Sequence, residues 1–253
     1  MKEMLLRYAL LAAVFAAVIP GYGEDKVDYV QMESLVTNRL ICCHHREITL
    51  SWLEHIKRQT GAKNEDIARC LGDYLKANVR AVPGTASYGR YHSAMWLFTE
   101  LADDRQYETL SEIAEAGDEK TAADALFYYY KRMRNKGGLK LVERLLARPS
   151  LSSNVYNEVS MSLRLDASGR FGTNEEHVAL LRQFSCRQIA KRKHCKLFDD
   201  VMVKLDPNYE KSEVRRKLID DIVADRVEGL SSEHKKHFME LRQSNGLGKG
   251  ERQ

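Results

Sequence analysis

Apolar residues recur every three to four positions through nearly all of the chain beyond its first two dozen residues. That spacing belongs to helices that bury one face. In 47–57 the apolar positions are Ile48, Trp52, Leu53 and Ile56; in 64–80 they are Ile67, Leu71, Tyr74, Leu75 and Val79. Asn64 stands where an N-cap belongs, and Glu65 and Asp66 suit the positive helix start. Pro83-Gly84 then stops the element. The pattern predicts an all-α chain.

One stretch repeats itself. Ala94, Leu97, Phe98 and Leu101 form a stripe closed by Asp103-Asp104, and Tyr107, Leu110, Ile113 and Ala114 form another closed by Gly117-Asp118. The pattern returns after 32 residues, as Leu126, Tyr129, Tyr130 and Met133, then Leu139, Val142, Leu145 and Leu146. Gly137-Gly138 marks the inner turn and Pro149 the outer one. Short amphipathic helix pairs recurring in this way need neighbouring pairs to cover their apolar faces. A third pair is expected from Val155–Leu165 and Val178–Ile189, with a longer turn at 168–174. A fourth is expected from Leu197–Leu205 and Val214–Ile222.

On the residues Phe98 to Arg105 (FTELADDR) and Ala116 to Leu126 (AGDEKTAADAL), the chain resembles HEAT-like repeat proteins. The resemblance covers about 91–147. It implies a right-handed superhelix of antiparallel helix pairs, the alternative being an irregular helical bundle. Such repeats mostly supply binding surface, so the resemblance implies a protein or peptide partner and no particular chemistry.

Residues 1–23 read as a signal peptide. Lys2 and Arg7 give a positive start, Ala9–Ile19 an apolar run, and Pro20, Gly21 and Gly23 a break with small residues before a cut at Gly23/Glu24. The run is shorter than the about 20 residues that span a bilayer, and no second such stretch follows. The expected organisation is leader 1–23, one helical domain 24–242 and a polar, Gly-rich, disordered tail 243–253. The expected location is the bacterial periplasm or the secreted space. The net charge of +4 falls to +3 when Lys2, Glu3 and Arg7 leave with the leader. That is a mild excess for a dedicated nucleic-acid binder.

An oxidising compartment would pair the cysteines where geometry permits. Cys43–Cys70 and Cys186–Cys195 are the favoured pairs, leaving Cys42 over. On one straight helix Cys186 and Cys195 would stand about 13.5 Å apart, so their bridge needs the chain to turn near 191–194. Cys42-Cys43-His44-His45 gathers four soft ligands, the basis of an alternative reading as a thiol- or metal-dependent enzyme. Adjacent ligands diverge, however, and zinc sites use spacers such as C-x2-C. No catalytic motif or cofactor fingerprint of recognised spacing is present.

Two further features bear on binding. The run 187–196 carries Arg187, Lys191, Arg192, Lys193, His194 and Lys196. It reads either as a solvated helix end favoured by the dipole or as a grip on a polyanion. Nucleic acid is disfavoured because no aromatics interleave. Trp96 and Tyr128, with Tyr88 and Tyr91, are candidates to line an aromatic groove. Asp166 to Arg170 begins like a calcium loop but places Arg170 where an oxygen ligand is required.

Overall fold

The computed structural model describes residues 27–42, 50–117, 119–191, 193–209 and 213–224, with five further positions between 232 and 240. The leader, Cys43, His44, His45, Arg192 and the tail lie outside these residues, as does the side chain of Cys42. The described elements are helical throughout. Residues 1–125 and 126–253 form two compact units within the stretch read as one helical domain.

The first unit holds α1 (Tyr29–Cys42), α2 (Leu50–Thr60), α3 (Asn64–Ala77), α4 (Ala86–Leu101), α5 (Glu108–Ala116) and the start of α6 (Lys120–Met133). α1 packs on α2, α3 and α4, and α3 packs on α4 and α5. Local sequence explains the starts. The Thr85 hydroxyl accepts the Tyr88 N–H at 3.3 Å and begins α4. At α3 the expected cap, Asn64, is already helical. The Asp66 carboxylate instead accepts the Lys63 N–H at 2.9 Å, reaching back from the first turn. Gly61 and Gly84 end the preceding segments with φ of 70° and 82°, the left-handed region that glycine enters without a Cβ penalty.

The second unit holds the rest of α6, a π turn (Arg134–Gly138), α7 (Leu139–Leu146), α8 (Ser153–Ala167), α9 (Glu175–Ala190), α10 (Cys195–Leu205) and α11 (Glu213–Val223). α10 packs on both α8 and α9. Ser152 caps α8 by accepting the Val155 N–H, and Asn174 caps α9 by accepting the His177 N–H at 3.1 Å. The expected turn at Gly137-Gly138 is a π turn, entered at Met133 with φ −101° and ψ 11°, and it leads into α7. Both glycines sit close to neighbours: a Cβ on Gly137 would lie 2.6 Å from the Tyr129 hydroxyl oxygen, and one on Gly138 3.1 Å from Tyr130 Cδ2 and 3.3 Å from the Met133 carbonyl oxygen, so either substitution would make a neighbour shift.

The repeated stripe is interior. Of its two sets of positions, all are buried except Leu101 and Leu139, each half-buried at a helix end. Apolar burial of this kind contributes about 25 cal/mol per Å² and is the main force holding each unit together.

Candidate functional site

A tyrosine hydroxyl, an aspartate and a cation recur together in both units. In the first, the Tyr29 hydroxyl donates to Asp66 at 3.0 Å, and Arg69 pairs with the same carboxylate at 2.6 Å while lying over the Tyr29 ring. The Tyr88 hydroxyl donates to Asp124 at 2.5 Å, and Lys120 pairs with that carboxylate at 2.7 Å. In the second unit Tyr130 donates to Asp166 at 2.7 Å and Arg134, from the π turn, pairs with it at 2.7 Å. Asp199 and Arg215 meet at 3.5 Å, with the Arg215 guanidinium over the Tyr209 ring. Each cluster ties residues distant in sequence and sets a cation beside an acid that burial would otherwise penalise.

The Asp166 cluster is the most elaborate. His177, in the first turn of α9, places Nε2 2.6 Å from Asp166 Oδ2. Because a carboxylate only accepts, Nε2 is the donor in this contact. Burial pushes the Asp166 carboxyl up. Hydrogen bonds from His177 and Tyr130, and then the His177 and Arg134 charges, outweigh it and hold the group below the usual carboxylate range. Burial, followed by the Asp166 charge, pushes the Tyr130 hydroxyl well up, so it stays a donor.

An Asp–His pair is also what orients a catalytic base, but that base must reach a nucleophile or substrate. The His177 and Asp166 side chains are 2% and 1% exposed. Nδ1 is buried and makes no hydrogen bond. The cluster is therefore a structural hub. Asp166 lies within α8 and is engaged by these partners, so the calcium-loop resemblance has no counterpart in the fold.

The aromatic candidates fall in different units. Trp96 is half-buried on α4 in the first unit, and Tyr128 is half-buried on α6 in the second, edge-on to Phe127. Tyr91 is fully buried in the core, which corrects its expected place on a groove. Tyr88 is committed to Asp124.

The cysteine expectations fare differently. The chain does turn at 191–194, where His194 takes a left-handed φ of 51°. Nevertheless Cys186 and Cys195 are both thiols. Cys186 is half-exposed near the end of α9, while Cys195 opens α10 from the interior. Cys70 is also a thiol, and its expected partner Cys43 lies outside the described residues, as do His44 and His45. Burial, aided by the Glu33 and Asp73 charges, pushes the Cys70 thiol up to about 12. At pH 8 a disulfide-exchange reagent should therefore label Cys70 more slowly than Cys186 in the folded protein, with both labelled once it is unfolded. Peptide mapping that finds Cys70 joined to Cys43 would replace this expectation. Among the described residues no three His, Cys, Asp or Glu side chains are arranged to hold a metal ion.

The basic run is where the structure adds most. Arg187, Lys191 and Lys193 are exposed, and Arg192 lies outside the described residues. The end of α9 rests against α7: Lys191 Nζ is 2.9 Å and Gln188 Nε2 3.2 Å from Glu143 Oε1. His194 Nε2 lies 3.3 Å from the Leu146 carbonyl oxygen, its ring beside Tyr156. The Lys191 hydrogen bond, then the Lys191 charge, the Gln188 hydrogen bond and the Arg187 charge, hold the Glu143 carboxyl below its usual range despite some burial. α7 brings exposed Lys140 and Arg144 to the same neighbourhood. Sequence reasoning missed this second basic strip. Its signal was present, because 131–148 holds seven Lys or Arg and one acid, Glu143.

Among the described residues no helix is long and apolar enough to cross a membrane. No protein-family model, curated protein or solved structure matches the chain.

Proposed function

We propose that the chain is an exported interaction module. It is a HEAT-like, right-handed superhelix of antiparallel helix pairs that presents a face to a protein or peptide partner and performs no chemistry of its own. The observation that carries the reading is burial of the same stripe positions in two windows 32 residues apart. Helices that spend their apolar sides on one another leave polar faces outward, and such architectures chiefly offer recognition surface. The buried acids support the reading too, because they engage tyrosines and cations between helices instead of converging on an open cleft. The leader at 1–23 supports a periplasmic or secreted location, and no cofactor is invoked.

The test is capture from an envelope extract with Trp96→Ala and Tyr128→Ala as comparators. A specific protein should be retained, and one of these substitutions should cut its retention about tenfold, as removal of an aromatic hot spot does. Lys204→Gln, at an exposed site on α10, should leave retention unchanged. Retention indifferent to both aromatic substitutions removes the reading. Stoichiometric zinc with Cys42 and Cys43 reduced would move the assignment to thiol or metal chemistry. N-terminal sequencing of the exported form should begin at Glu24.

A further inference from the structure

The positive charge of this protein is not spread evenly. Residues 1–125 carry 14 Lys and Arg against 19 Asp and Glu, whereas 126–253 carry 26 against 17. The net +4 thus conceals a strongly basic second unit. Within that unit two segments stand out. One is 131–148, with its single acid, and the other is 177–198, with six Lys or Arg and no acid. The fold brings them side by side through Glu143, which accepts from Lys191 and Gln188.

The exposed cations fall in two rows. Lys140 and Arg144 are four residues apart on α7, and Arg187 and Lys191 are four residues apart on α9, with Lys193 just beyond. Four residues advance a helix by about 6 Å, so each row points one way. Two rows on neighbouring helices make a patch with breadth as well as length. A single extended strand is gripped by one row or a groove; a patch with breadth suits a charged plane. Leu180 lies two turns before Arg187 on the same face of α9 and is 46% exposed, an apolar side chain able to enter a headgroup layer.

We infer that the α7–α9 face docks the protein on an anionic phospholipid surface. The cations lie over the phosphate layer, where each Lys or Arg strengthens attachment about fivefold. Glu143 holds the two rows together from between them. The inference does not depend on the protein-partner reading, since it uses neither Trp96 nor Tyr128.

The experiment is cosedimentation of the full chain with vesicles of phosphatidylcholine alone, or with about one third phosphatidylglycerol. The result is read as the difference between the two compositions, so an apolar leader common to every variant cancels. The wild type should bind the anionic vesicles preferentially and lose that preference as salt is raised. The variant Lys140→Gln/Arg187→Gln/Lys191→Gln/Lys193→Gln should lose about a hundredfold or more in anionic-vesicle affinity. Its helical circular dichroism should be unchanged, because all four side chains are exposed. The control Arg216→Gln/Lys217→Gln, at exposed positions of α11, should lose far less. Equal binding to both compositions overturns the inference, as does an unaffected quadruple variant. Retention on polyglutamate or duplex DNA without vesicle binding also overturns it and assigns the face to an acidic polymer.

Discussion

Replacing Asp166 with alanine should destabilise the second unit by about 3–5 kcal/mol, the cost of removing one partner from a buried charged cluster. The loss has several parts. The Arg134 guanidinium, 12% exposed, would keep its charge without its carboxylate. The Tyr130 hydroxyl and His177 Nε2 would lose their acceptor within the interior. At roughly 2–4 °C per kcal/mol the melting transition should fall by about 10 °C. Asp166→Ala combined with Arg134→Ala should cost less than the two singles added, by 1 kcal/mol or more, because both remove one interaction. A variant melting within about 1 kcal/mol of the wild type would show that the cluster is not a hub.

The same carboxyl predicts a pH dependence. Its folded-state value lies below its unfolded value of about 3.9, so the unfolded chain binds the extra proton first. The contribution of Asp166 is therefore complete above about pH 4 and is lost as the pH falls through the folded value. Denaturant curves for wild type and Asp166→Asn should differ at neutral pH and converge below about pH 4.

In the first unit the largest expected effect is at Phe98. Its ring is buried, lies 6.0 Å from that of Tyr107, and presents Cε2 where a Cβ on Gly72 would stand 3.2 Å away. α3 and α4 approach through this contact of ring and glycine. Phe98→Ala should cost about 3–5 kcal/mol through lost burial and the cavity left behind. Gly72→Ala alone should crowd the ring, offsetting or exceeding the gain in helix propensity. Placed in a Phe98→Leu background, Gly72→Ala should become neutral or stabilising. Equilibrium unfolding of the four proteins measures the coupling, and purely additive values would exclude the contact as the determinant of helix spacing.

Position 98 also shows where the sequence was legible. The stripe through Ala94, Leu97 and Phe98 was readable because apolar burial leaves a helical period, and Leu126, Tyr129 and Tyr130 repeat it. Phe98 and Tyr130 nevertheless differ by one hydroxyl, and that hydroxyl binds Asp166, 36 residues away. No periodicity announces such a bond. Hydropathy marks an aspartate as exposed, and only partners from other helices make its burial tolerable. Tyr91 failed in the opposite sense, as a polar-tipped ring taken wholly inside. The basic face was half legible: the 187–196 run was visible as a run, but its adjacency to α7 depends on Glu143, which carries no signal in isolation.

The π turn has a consequence for that face. An α-helix advances about 100° per residue, so an apolar side keeps its phase only while the helix runs on. Extended without interruption, the interior side of 126–133 would pass through Lys140 and Arg144 and carry Val142 and Leu146 toward water. The turn at 134–138 breaks that phase: Lys140 and Arg144 lie exposed and Val142 and Leu146 buried, so five residues decide which side of α7 is cationic.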